Sequence, residues 1–150
     1  MKNITLQLPL DYSQSERLLQ FCLNIGVDCF SVNFVYGNED ELRNMKAIDH
    51  RLAPFSLGNH LLEQTTWRND QRFAQAECWR LNPETLQLIL NACDGSLSNY
   101  DMGRLPEDWK FYRQGELLLG FVSHEYHGFL RLPDNTLHAF SRIGIAYTPA

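Results

Sequence analysis

Between Leu105 and Leu132 the chain reads LPEDWKFYRQGELLLGFVSHEYHGFLRL, three strand-like runs broken by turn signals. In the first, Trp109, Phe111 and Arg113 point one way while Lys110 and Tyr112 point the other, the period of a strand with two unlike faces. Gln114-Gly115 can turn the chain back into a second run, Leu117 to Ser123, and a hairpin then leads to a third, His127 to Leu132. Three such runs in succession read as an antiparallel meander. Any fold for this chain has to be built around that sheet.

The rest of the sequence supplies more strands and several helices. Ile4, Leu6, Leu8 and Leu10 alternate with polar residues, so a strand opens the fold. Ser13 with Glu16 three residues later has the capping-box pattern, and Leu18, Leu19, Cys22 and Leu23 recur at helical spacing before Gly26. A helix is expected over 14–25. Val27 to Tyr36 is rich in β-branched and aromatic residues, with Phe30, Val32, Phe34 and Tyr36 on one face of a central strand. Asn38 and the acidic run Glu39-Asp40-Glu41 suit a helix start, where carboxylates meet the positive end of the dipole. Leu42, Met45, Ile48 and Leu52 give this second helix its apolar stripe, which Pro54 ends.

Farther on, Leu61-Leu62 with Thr65-Thr66-Trp67 suggests one strand and Phe73 to Leu81 another, connected through Trp67 to Gln71. Asn82-Pro83 places a cap before a proline at the first helical position, Leu86, Ile89, Leu90 and Cys93 mark the buried side, and Asp94-Gly95 stops the helix. Pro133-Asp134-Asn135 breaks the last strand of the meander. Beyond it, Leu137, Phe140 and Ser141 favour a short helix over an edge strand within 136–147. No repeat or linker divides the chain. The expected fold is a single α+β domain over 1–150, a largely antiparallel sheet with three or four helices packed mainly on one face.

Composition narrows the function. A chain of 150 residues with 44% hydrophobic content can bury a sizeable core. Its net charge of −5 and the absence of any run of Lys or Arg argue against nucleic-acid binding, which depends on displacing counterions from phosphates. Cys22, Cys29, Cys78 and Cys93 form no CxxC pair and sit among apolar neighbours, the setting of small core hydrophobes. The first residues alternate instead of forming a continuous apolar leader, and no segment is long enough to span a bilayer. Cytoplasmic location is expected, with no membrane association and no cofactor.

The ionisable groups of the meander are the obvious place to look for chemistry. His124-Glu125-Tyr126-His127 resembles a metal motif, but its histidines are three apart in a strand-and-turn segment, so they should face opposite ways. A ligand set would need His60, His138 or Asp49-His50 from elsewhere, and no metal site is expected. No GxSxG elbow presents a serine nucleophile. The best catalytic grouping is Asp108, Arg113, His124 and Glu125, provided the hairpin brings them together. An acid and base role would require one carboxyl raised by burial beside an ionised neighbour. The competing expectation is that Glu125 is a buried anchor between sheet and loop. Tyr100, Asp101, Glu107 and Asp108 are candidates for a partner-binding patch, and Phe30, Phe34 and Phe111 for lining a small-ligand site. Trp67, Trp79 and Trp109 are expected in the core or at its rim.

The succession WRNDQ, AECWRLNPETLQLIL, LPEDWKFYR and GFVSHEYHGFLRL resembles a group of small bacterial proteins with no established activity. These share a Leu-Pro-Glu-Asp step into a Phe-Tyr-Arg strand and a Ser-His-Glu step ending the next. The likeness covers Trp67 to Leu132 and implies fold and bacterial origin; it transfers no catalytic residue. Where the group often has Pro-Gly-Thr after the tryptophan, this chain has Arg68-Asn69-Asp70. The leading expectation is a non-enzymatic interaction protein, immunity-like or accessory, that binds a protein partner through an acidic and aromatic surface. A small hydrolase at Asp108, Arg113, His124 and Glu125 comes second, and a small-ligand binder third.

Overall fold

The meander expected over 105–132 is present, and it forms the middle of a larger sheet. The computed structural model describes residues 1–63 and 73–150, and side chains outside 60–76. Among these residues the elements are β1 (Lys2–Leu6), α1 (Tyr12–Asn24), β2 (Cys29–Asn33), α2 (Glu39–Leu52), β3 (Ser56–Glu63), β4 (Phe73–Arg80) and α3 (Pro83–Ala92), then β5 (Glu107–Arg113), β6 (Glu116–Val122), β7 (His127–Leu132), α4 (Leu137–Ser141) and β8 (Tyr147–Pro149). The eight strands form one sheet in the order β3-β4-β2-β5-β6-β7-β1-β8, and every neighbouring pair is antiparallel. This is an α+β fold with four helices.

The helices begin where the sequence places polar caps. Asn38 accepts a hydrogen bond from the Glu41 N–H at 2.8 Å, and Asn82 from the Thr85 N–H at 2.9 Å, each satisfying a backbone donor that the first helical turn leaves open. For α1 the cap is Asp11, paired with Gln14 in a reciprocal box at 2.7 and 2.9 Å, instead of Ser13 with Glu16. Tertiary contacts decide between the two patterns. Ser96 Oγ donates to the Leu10 carbonyl, the Leu10 N–H donates to Ser98 Oγ, and the Leu97 N–H donates to Ser15 Oγ. These bonds hold the chain just before Asp11, so the helix starts at Tyr12. Gln114 and Gly115 have φ of 50° and 80°, the left-handed pair that a two-residue hairpin requires.

The two faces of the sheet differ as the alternation in β5 implies. Trp109 and Phe111 join Phe30 and Val32 of β2, Trp79 of β4, Leu119 and Phe121 of β6, Leu130 of β7 and Ile4 of β1 under the helices. The helices contribute Leu18, Leu19 and Cys22, Met45, Ile48 and Leu52, Leu86, Ile89 and Leu90, and Phe140. Phe30 and Phe111 are fully buried and packed against Trp79 and Trp109, so they fill the core and do not line a ligand site. Phe34, half-buried, packs edge-on to Trp79.

On the opposite face Cys29, Cys78, Tyr112 and Leu117 make a smaller buried cluster, with Leu57 of β3 and Phe129 packed against it. Although β4, β2 and β5 separate them in the sheet, β3 comes back to meet β6. The sheet is therefore strongly curled, and its curl closes toward the face without helices. Thr65, Thr66 and Trp67, and the expected connection through Gln71, lie outside the described residues. The 136–147 segment contains the expected helix, but an edge strand follows at Tyr147, paired to β1.

Gly120 is the point of closest approach on this second face. A methyl group there would lie 2.6 Å from Phe129 Cε1, because the ring lies across the glycine from the neighbouring strand. Gly120→Ala is expected to lower stability by about 1–3 kcal/mol through overpacking, measured by urea unfolding. Adding Phe129→Leu should recover part of the loss, and an unchanged midpoint for the single variant would refute the packing argument.

Candidate functional site

Antiparallel pairing gathers the C-terminal ends of β2 and β6 and the N-terminal ends of β5 and β7 at one end of the sheet. Asp108 is the centre of this end. Between Ser31 and Asn33 the pairing with β5 shifts register, because β5 runs from Lys110 back to Glu107 while β2 advances only two residues. Asp108 takes up the extra length with φ of 59°, a left-handed conformation that aspartate tolerates better than most residues.

Its bonds hold that conformation in place. The Asp108 N–H donates to Ser123 Oγ at 2.9 Å, and the Ser123 N–H donates to Asp108 Oδ1 at 2.9 Å. Asn33 Nδ2 donates to Oδ2 at 3.3 Å. Ser123 is buried, so this reciprocal pair ties the turn after β6 to the bulge in β5 and to the end of β2. The anchor expected at Glu125 is thus made by Asp108 and Ser123. Glu125 itself is exposed, as is His124, and the two approach only to 3.7 Å.

The proposed catalytic grouping does not assemble. Arg113 lies at the other end of β5, about 17 Å from Asp108 at strand spacing, and donates to the Ile25 carbonyl at 3.3 Å beside Gly26. It serves to tie β5 to the end of α1. His124 and Glu125 occupy a 3-10 turn, Ser123–Glu125, and His127 begins β7 after Tyr126, whose φ is 49°. Among the described residues no three His, Cys, Asp or Glu side chains could hold a metal ion. His50 and His138 are exposed, on α2 and α4, and the His60 side chain lies outside the described set.

One carboxyl here is shifted. Burial raises Glu107 above its ordinary 4.5, the Asp108 charge adds to the rise, and His124 opposes it. A raised carboxyl beside a second carboxylate was the expected signature of acid and base chemistry, but it falls on Glu107, outside the proposed grouping.

The expected binding patch is divided between two neighbours. Asp101 is exposed and Tyr100 half-buried, in a loop that turns toward α2, where Asn44 Nδ2 donates to the Arg104 carbonyl at 3.2 Å. Asp108 turns toward Ser123 and Asn33, and Glu107 precedes it at the start of β5. The start of α2 lies beyond the end of β2, so its Glu39, Asp40 and Glu41 share this end of the molecule with both pairs. Tyr36, Met102 and Tyr126 are exposed by 55, 78 and 61%. They come from three loops at this end; Tyr36, expected on one face of the second strand, lies beyond it because β2 ends at Asn33. Exposure of a lone apolar residue has no sequence signal; only the turns around them do.

Comparison with protein-family models, curated proteins and solved structures yields no match. No helix among the described residues is long and apolar enough to cross a membrane.

Ser123→Ala removes the acceptor of the Asp108 N–H and should cost about 1–3 kcal/mol in urea unfolding, whereas Asp108→Asn, which keeps an acceptor oxygen, should cost less than Asp108→Ala. Equal stabilities for Ser123→Ala and the parent would rule out the anchor. For Glu107, a folded value above 4.5 means that ionisation costs folding free energy, absent at lower pH and developing as the pH climbs past 4.5. Glu107→Gln should therefore raise Tm at about pH 7 and leave it unchanged at about pH 4. A gain of equal size at both values would contradict the assignment.

Proposed function

We propose that this chain is a non-enzymatic interaction protein of bacterial origin, immunity-like or accessory, that acts in the cytoplasm by binding a protein partner. The reading rests on one observation: exposed Tyr36, Met102 and Tyr126 share an end of the molecule with Glu39, Asp40, Asp101, Glu107, Asp108 and Glu125. Large apolar side chains set among charges of one sign suit association, the apolar groups giving affinity and the charges steering the approach of a basic partner. The cations nearby are few and already engaged, Arg43 with Asp40 at 3.3 Å and Arg104 with Asp101 at 3.9 Å. The Asp108 and Ser123 anchor supports the same reading, because it gives the Tyr126 turn a fixed base.

The test is affinity capture from the native host with three baits. The parent chain is compared with a Tyr36→Ala, Met102→Ala, Tyr126→Ala variant and with an Asp40→Lys, Asp101→Lys variant. One protein should be recovered with the parent, released by added salt, and lost with both variants. Repeated capture of nothing by the parent, or equal capture by all three baits, would overturn the proposal.

A further inference from the structure

Between α1, from Arg17 onward, and the turn after α4 lies a cleft of about 450 Å³. Clefts that hold small ligands run from about 300 to 1,000 Å³ and join an apolar wall to a few polar groups. Here the wall is Phe21, Ile25 and Ile143, and Phe21 rests edge-on against Phe140 with ring centroids 5.5 Å apart, so the wall is continuous with the core. Arg17 and Arg142, both exposed, supply the charge. Arg17 reaches across from α1, its Nη2 lying 3.7 Å from where a side chain at Gly144 would begin, two residues beyond Arg142.

No carboxylate lines this cleft. Glu16, the acid next to Arg17 in the chain, lines the hollow on the α3 side instead. Among the described residues Arg17 and Arg142 make no hydrogen bond and no ion pair, whereas Arg43, Arg104 and Arg131 each reach a carboxylate. In a chain of net charge −5, two such guanidinium groups over an apolar wall select an anion with a hydrocarbon body. Gln20 and Asn24, the amides of the cleft, bond to each other at 3.3 Å, so the charged donors are the ones left for a ligand. The site is separate from the acidic end of the molecule, because the Ile25 carbonyl accepts from Arg113, at the end of β5 opposite Asp108.

We propose that the cleft binds a medium-chain fatty acid, with its carboxylate held by Arg17 and Arg142 and its acyl chain laid along Phe21, Ile25 and Ile143. Guanidinium presents parallel N–H donors that match the two oxygens of a carboxylate. From Arg17 to Ile25 the helix advances about 12 Å, a length that an acyl chain can follow and a compact anion cannot. Covering the wall removes apolar surface from water, and the charge sets the direction in which the ligand lies.

The test titrates the full chain with decanoate below its micelle concentration and follows the backbone amides by NMR. One saturable site should appear, with the largest shifts over 17–25 and 139–144. The Arg17→Gln, Arg142→Gln variant, altered only at exposed positions, should bind at least about tenfold more weakly, and decanol, which keeps the tail and lacks the charge, should lose as much with the parent. Acetate, which has the charge without the tail, should leave the site unsaturated where decanoate fills it. Equal affinity for decanol, or equal affinity of the double variant for decanoate, overturns the proposal. Shifts scattered over the surface without saturation mean an adventitious additive only and overturn it too, and saturation by acetate at the same concentration overturns the role of the tail.

Discussion

Phe30 packs against Trp79 from one neighbouring strand and against Trp109 and Phe111 from the other, with ring centroids 5.7 to 6.1 Å apart. The continuity of the sheet passes through these contacts, because β2 alone joins the β3 and β4 pair to the β5 to β7 meander. Four large rings in one layer bury far more apolar area than short strands of aliphatic residues would, and each such side chain is worth about 1.5–3 kcal/mol on full burial. Met45, Ile48, Leu86 and Ile89 of the helices join these rings in one core. Without the row at Phe30, what joins the two halves within the sheet is the smaller cluster of Cys29, Cys78, Tyr112 and Leu117 on the other face.

Much of this was legible because it is local. Asn38 and Asn82 announce helix starts, Asp94-Gly95 and Gln114-Gly115 announce reversals, and the alternation from Trp109 to Tyr112 announces which side is buried. Each of those signals acts over a few residues. The strand order is a different matter: β1 pairs Lys2 with Leu132, and nothing in either segment names the other. The cap of α1 shows the same limit on a small scale, since Asp11 with Gln14 and Ser13 with Glu16 both satisfy the pattern, and the choice is made by serines in a loop far along the chain.

The candidate site is less legible in the sequence for the same reason. Charged residues crowd the meander and set Asp108 near Arg113 in sequence, yet an extended strand carries residues five apart to opposite ends. In the sequence Ser123 only ends the run from Leu117, although it makes the bonds that matter, because its partner is reached across a strand pair and not along the chain. The cysteines were simpler. Burial pushes the Cys22 and Cys93 thiols up to about 12 and raises Cys29 and Cys78 as well, so all four behave as the core hydrophobes their neighbours implied.

The position of β1 has one more consequence. Lys2–Leu6 is an interior strand, and both of its neighbours, β7 and β8, come from the far end of the chain. A ribosome makes this strand well before the two that flank it, so its backbone groups have neither partner while the middle of the domain is being made. Pairings so distant in sequence close slowly, and an unpaired strand is exposed to wrong partners in the meantime. The order of synthesis and the order of assembly therefore run in opposite senses, and β1 finds its place only after residues more than a hundred positions later have been made.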